Sequence, residues 1–113
     1  MTTDKVHHDF IGGQEYRPVG PRILTLYIYL NDVEADAGGG TNFPHMDPYN
    51  PDFAIQPKKG RAVLWPSVLN ENVIQPDGRT MHQALPVTKG VKYGANAWIH
   101  LRDYKENGQK GCL

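Results

Sequence analysis

The 113-residue chain contains a single cysteine, Cys112. One thiol excludes an internal disulfide and any metal site built from several cysteines. It points to a reducing compartment only weakly, because oxidising compartments also hold proteins without disulfides. An excess of charge is missing too: Lys+Arg and Asp+Glu number 12 each, the formal net charge is zero and the pI is near 7.0. Such a balance offers no electrostatic footprint for nucleic acid or an anionic membrane. No apolar run approaches the roughly 20 residues that a membrane-spanning helix needs. The start, MTTDKVHHDF, lacks the apolar core of a signal peptide, which leaves the endoplasmic reticulum and the cytoplasm both open. Repeats, low-complexity segments and a long helical period are also absent, and the length suits one domain, residues 1–113.

What the chain does have is 12 glycines and 9 prolines, enough to punctuate many short segments. In RILTLYIYLNDV (22–33), Leu24, Leu26, Ile28 and Leu30 alternate with Thr25, Tyr27 and Tyr29, the period of a strand with one aliphatic and one hydroxyl-bearing face. A short strand is expected around 41–43, and 45–52 is a proline-punctuated loop. FAIQP (53–57) and RAVLWP (61–66), joined by Lys58-Lys59-Gly60, suggest a β-hairpin with a solvated tip. Pro76-Asp77-Gly78 is a turn. MHQALPV (81–87) is a further strand, and the last spans 91–103, with Lys92, Asn96, Trp98 and His100 on one parity and Tyr93, Ala95, Ala97, Ile99 and Leu101 on the other. About seven short strands with Gly/Pro turns predict a mainly all-β sandwich or barrel, of which the jelly roll is one solution.

Five histidines are present, and two stand in VHHDF (6–10). In an extended chain, residues two apart share a face, so His7 and Asp9 project together while His8 turns away. A His and an Asp so placed can grip one metal ion, and an octahedral Fe(II) site takes one more ligand, usually histidine, leaving three positions open. His45, His82 and His100 remain to supply it.

Five features, taken together and in order, resemble the prolyl 4-hydroxylase branch of the 2-oxoglutarate- and Fe(II)-dependent dioxygenases. They are His7-His8-Asp9, the strand Arg22 to Leu30 with Thr25 and Tyr29, the turn Gly38-Gly39-Gly40-Thr41-Asn42-Phe43-Pro44, Pro57-Lys58-Lys59-Gly60, and His82 followed ten residues later by Lys92 and then Trp98 and His100. The resemblance implies a double-stranded β-helix (jelly roll). It implies iron ligands His7, Asp9 and His82, and Lys92 on the distal carboxylate of 2-oxoglutarate, helped by hydroxyls of Thr41 and Tyr29. Arg22, Trp98 and His100 match positions on the substrate side. A cation at the far end of a metal-held dicarboxylate is also what the physics asks for. The implied activity is hydroxylation of a peptidyl proline at C4 with release of succinate and CO2, using O2, with ascorbate as reductant. His8 and His45 are read as structural.

Where the family has helices and a first strand before H-x-D, often with a cosubstrate-binding tyrosine, six residues precede His7, and Asp4 stands at the tyrosine position. The chain therefore resembles the C-terminal half of such a domain, without the N-terminal helices usual in the family. If Thr25, Tyr29, Lys92 and Trp98 face inward, then Leu24, Leu26, Ile28, Leu30, Ala97, Ile99 and Leu101 face outward, and an exposed apolar face, or a partner or further segment covering it, is expected. Three other readings stay open. One is a non-catalytic jelly-roll fragment, favoured by Asp4. Another is a dioxygenase of the same class acting on a free amino acid. The third is a cupin-like metalloenzyme without 2-oxoglutarate, against which Lys92 and Thr41 speak.

Overall fold

The computed structural model describes residues 5–13, 17–47, 49–50 and 53–103; Asp4 and Cys112 lie outside them. Six strands follow one another: β1 (Arg22–Tyr29), β2 (Thr41–Asn42), β3 (Ala54–Ile55), β4 (Ala62–Pro66), β5 (Gln83–Ala84) and β6 (Gly94–His100). They form two antiparallel sheets, one in the order β4-β1-β6 and a smaller one in the order β3-β2-β5. Among the described residues the helical content is a 3-10 turn, Gly78–Thr80, and no helix is long and apolar enough to cross a membrane.

The alternation in β1 dictates both faces of the larger sheet. Register aligns Leu24 with Pro66 and Ile99, Leu26 with Leu64 and Ala97, and Ile28 with Ala62 and Ala95. That face is apolar across three strands, and it is open: Leu64 is 59% exposed and Ile99 42%. Leu30 and Leu101 are exposed beyond the strand ends, while Leu24, Leu26 and Ile28 are half-buried. The expected outward parity is thus observed. The opposite face carries Thr25, Tyr27 and Tyr29, and Thr25 and Tyr29 are fully buried. It meets the smaller sheet through Tyr29, whose hydroxyl bonds the Thr41 hydroxyl (2.6 Å) and donates to the Ile55 carbonyl (3.0 Å). Trp65 and Phe43 join them edge to face, centroids 5.2 Å apart.

The FAIQP and RAVLWP segments do not form the expected hairpin. The chain does reverse at Lys58–Arg61, where the Arg61 N–H donates to the Lys58 carbonyl, but the two arms enter different sheets, β3 beside β2 and β4 beside β1. Pro57 has no N–H to offer a ladder between them. Gly60 and Arg61 instead exchange backbone bonds with Tyr29 (2.9 Å each). The strands expected over 81–87 and 91–103 are shorter, as Gln83–Ala84 and Gly94–His100. Pro86 ends the first, since its carbonyl accepts from Gly39 but it cannot donate. Gly38 and Gly39 have φ of +73° and +78°, and a Cβ on Gly38 would collide with that same carbonyl.

Candidate active site

His7 and His82 face each other in an isolated antiparallel bridge, exchanging N–H···O=C bonds of 2.9 and 2.8 Å. Residues directly opposite in such a pair project on one side, and the two imidazole centroids are 4.4 Å apart. Asp9, two residues after His7, shares that side. Its Oδ1 lies 3.4 Å from His82 Nε2 and 3.8 Å from His7 Nε2. One ligand atom from each residue falls within 4.8 Å of the others. Atoms at about 2.1 Å from a common ion and at right angles are about 3 Å apart, so a small inward adjustment completes three ligands of an octahedral site.

Hydrogen bonding orients the donors for that task. His82 Nδ1–H donates to the Thr80 carbonyl and His7 Nδ1–H to the Lys5 carbonyl, each at 2.9 Å. This fixes the tautomer that leaves both Nε2 lone pairs on the cluster side. His82 is the buried member, packed against Trp65 and Phe43 (4.8 and 5.8 Å between centroids), whereas the His7 side chain is 48% exposed. Thr80, which holds His82, is itself set by the 3-10 turn: the Asp77 carboxylate accepts from the Arg79 N–H, Nε and Nη2 (3.0, 3.0 and 2.8 Å).

Burial raises the Asp9 carboxyl, but hydrogen bonds from His82 and Thr25 and attraction to both histidines outweigh it, and the net result lies below the ordinary 3.8. For His82, burial disfavours the charge, yet the Asp9 bond, the Thr80 carbonyl and the Asp9 charge lift it above the ordinary 6.5. Without a metal, each shift favours the charged partner, ionised Asp9 and protonated His82, relative to the isolated groups. The imidazolium's stabilisation is complete below the unfolded histidine value and is lost as pH rises through the raised folded one. That of Asp9 is present above its unfolded value and lost on acidification through the lowered one. A metal requires neutral His82. Two outcomes are expected in thermal unfolding: the drop in melting temperature from wild type to His82→Gln in the metal-free chain is larger near about pH 5.5 than near about pH 8.5, a difference in which the opposing His100 contribution cancels, and Mn(II) raises the wild-type melting temperature more at the higher pH.

The cluster opens into a cavity of about 170 Å3 lined by His7, Asp9, Tyr27, Thr41, Trp65, His82, Ala84, Lys92, Asn96 and Trp98. Lys92 lies just before β6. Leu30 N–H donates to the Tyr93 carbonyl, and beyond it the Asn31 side chain continues the ladder, donating to the Val91 carbonyl and accepting from the Tyr93 N–H at 2.7 Å each. Both neighbours of Lys92 are held in this way. Its ammonium donates to the Gly39 carbonyl (2.9 Å) and lies 5.8 and 6.0 Å from the Tyr27 and Tyr29 rings. Asn31→Ala should destabilise the fold by about 1–3 kcal/mol in denaturant unfolding, since it removes these two bonds and a third to the Asp32 carbonyl, each of modest net worth.

Of the residues singled out by sequence, His7, Asp9, His82, Thr41, Lys92 and Trp98 gather at this cavity. Tyr29 does not line it; the ring is fully buried and the hydroxyl sits behind Thr41. Arg22 and His100 are also outside the lining. Arg22 stacks on Trp98 (4.0 Å to the ring centre) and pairs in register with His100, which burial and the Arg22 charge keep below the usual histidine range. Tyr27 and Trp65 also line the cavity, and neither belongs to a motif that the sequence marks as a site. Tyr27 shares the parity of Thr25 and Tyr29, which was the available signal. Its ring reaches across to Gly94, where a Cβ would overlap the phenol.

A jelly-roll pair of sheets that gathers His-x-Asp and a distant histidine at one cavity with a half-buried lysine defines an iron- and 2-oxoglutarate-type oxygenase domain. Residues 2–100 match the family model of the 2OG-Fe(II) oxygenase superfamily, and the chain belongs to that family. Within it the chain is similar to the prolyl 4-hydroxylases. It is 44% identical over 85 residues to prolyl 4-hydroxylase subunit alpha-2 of Gallus gallus, covering 74% of this chain and 14% of that protein. Against probable prolyl 4-hydroxylase 9 of Arabidopsis thaliana it is 34% identical over 111 residues, covering 88% and 37%. The viral collagen prolyl hydroxylase of Paramecium bursaria Chlorella virus-1, solved as its 2OG complex, superposes with a TM-score of 0.72 at 31% identity, covering 89% of this chain and 53% of that one. The chain therefore spans about half or less of the length of these relatives.

Proposed function

We propose that the chain supplies the iron- and 2-oxoglutarate-binding part of a hydroxylase acting at C4 of prolyl residues in a peptide or protein. The observation that carries this reading is a single cavity lined both by His7, Asp9 and His82 and by Lys92 and Thr41. The residues fit the metal, since three donor atoms converge and both imidazoles are already in the required tautomer. Lys92 neutralises the far carboxylate of the 2-oxo acid, and the Thr41 hydroxyl donates to it once the Tyr29 hydroxyl turns its proton from the Ile55 carbonyl to the Thr41 oxygen. Bound together, iron and 2-oxoglutarate supply the oxidising chemistry that uses O2 to turn a C–H into a C–OH while succinate and CO2 leave.

The remaining side chains bind, orient and exclude water. Trp65 and Phe43 wall His82 from solvent. Trp98, with Arg22 stacked on it and His100 beside Arg22, offers an aromatic and cationic margin where a peptide can lie. The proline-containing substrate is drawn from the names of the relatives, prolyl 4-hydroxylases and a collagen prolyl hydroxylase. Ascorbate as reductant belongs to the same proposal.

Anaerobic Fe(II) with 2-oxoglutarate is expected to give the full chain a weak visible charge-transfer band. Oxygen should then release succinate in the presence of a proline-rich peptide. Absence of the band, with His82→Ala leaving metal affinity untouched, overturns the reading in favour of a non-catalytic module.

A further inference from the structure

We infer that Thr25, fed by Ser67, is a positioning residue that restricts Asp9 to one-oxygen coordination and thereby keeps a place open for a chelating 2-oxo acid. This deepens the proposed function and rests on it. Asp9 presents Oδ1 to the two histidine Nε2 atoms. Its other oxygen, Oδ2, accepts from the Thr25 hydroxyl at 2.7 Å, short enough for a charge-assisted bond. A carboxylate only accepts, so the Thr25 proton is committed to Asp9. The contact between the Thr25 and Ser67 hydroxyls, 3.3 Å, must then run from Ser67 as donor to Thr25 as acceptor.

Neither hydroxyl has room to reorganise. Thr25 is fully buried in the middle of β1, flanked in register by Trp65 on β4 and Trp98 on β6. Its branched side chain has few rotamers to choose from. Ser67 is 1% exposed, and its backbone is tied at both atoms: the N–H donates to the Ile23 carbonyl (2.8 Å) and the carbonyl accepts from Asp77 (3.1 Å). The hydroxyl relay therefore starts from a fixed backbone and ends on one named oxygen of the carboxylate.

The consequence is a count. Two histidines and a one-oxygen carboxylate occupy three positions of an octahedral site, and three stay open. A 2-oxo acid that chelates through two oxygens needs two of these. With the Thr25 hydroxyl removed, Oδ2 is released and Asp9 can turn both oxygens toward the ion, closing one position. Metal binding then survives while the 2-oxo acid loses its second contact, whereas a purely structural Thr25 would weaken both together.

The test uses the full chain, Mn(II) titration followed by EPR, and anaerobic Fe(II) titrated with 2-oxoglutarate at full metal occupancy. In Thr25→Val the released Oδ2 compensates at the ion, so Mn(II) affinity is expected to stay within about threefold of wild type, and the loss of about 10–100-fold that an outer partner carries is expected in 2-oxoglutarate affinity instead. Thr25→Ser, which keeps the hydroxyl, is expected to restore 2-oxoglutarate binding. Unchanged 2-oxoglutarate affinity in Thr25→Val, or parallel losses of metal and cosubstrate that serine does not rescue, overturns the inference. If the valine variant does not fold, Ser67→Ala reads the same relay: a drop of about 2–5-fold in 2-oxoglutarate affinity is expected, and no drop overturns it. Failure of the wild-type chain itself to bind Mn(II) or give the band would instead remove the proposed function, and the inference with it.

Discussion

His82→Ala is expected to lower Mn(II) affinity by more than about 100-fold, since even an outer partner of a ligand is worth about 10–100-fold. The substitution removes the one ligand that is both buried and preset. His82 Nε2 lies 3.4 Å from Asp9 Oδ1, its Nδ1 is fixed on the Thr80 carbonyl, and its ring is packed against Trp65 and Phe43. His7 and Asp9, both on one short segment, would be left to hold the ion without a partner across the bridge. His8→Ala is the matched control: the His8 ring bonds the Phe10 carbonyl and is not part of the cluster, so affinity should not change. Alanine also leaves a space beside two aromatic rings, so thermal unfolding of the metal-free variant separates loss of fold from loss of ligand. Equal Mn(II) affinity in a folded His82→Ala chain would remove the metal assignment.

The second large effect is at Lys92. Lys92→Ala is expected to weaken 2-oxoglutarate by at least about 30-fold, because removing one partner of a buried, hydrogen-bonded charge pair costs about 2–5 kcal/mol. Mn(II) affinity should stay at the wild-type level, since Lys92 contributes nothing to the metal cluster. Lys92→Arg is not expected to restore binding. The ammonium donates to the Gly39 carbonyl as a compact point charge, and a planar, longer guanidinium does not reproduce that geometry. Isothermal titration of the metal-loaded variants checks this. A 2-oxoglutarate affinity within twofold of wild type in Lys92→Ala would show that the dicarboxylate is anchored elsewhere.

Much of the site could be read from side-chain parity. The two-residue spacing of His7 and Asp9, and of Asn96 and Trp98 beyond Lys92, survives in space because a strand alternates faces whatever its length. Parity also separated Leu24, Leu26 and Ile28 from Thr25, Tyr27 and Tyr29. It could not measure depth. Thr41 and Tyr29 both carry hydroxyls pointing inward, yet Thr41 reaches the cavity and Tyr29 stands behind it. Nor could it see which strand neighbours which: the split of 53–57 and 61–66 between two sheets depends on a partner, Tyr29, that is distant in sequence. Thr25 looked like one more strand threonine, because its bond to Asp9 joins residues 16 apart. Strand ends failed for a similar reason. Around Lys92 the ladder is completed by the Asn31 side chain, so an extended segment continues where regular backbone pairing has stopped.

The contact between Tyr27 and Gly94 constrains how this sequence can change. The two positions lie on neighbouring strands, and the phenol occupies the volume in which any side chain at 94 would begin. Single substitutions at 94 therefore meet a blocked path. A larger residue there becomes accessible only after Tyr27 has been shortened, and shortening Tyr27 first opens the wall beside Lys92. A mutational library that varies 27 and 94 together would reach combinations closed to one that varies them in turn.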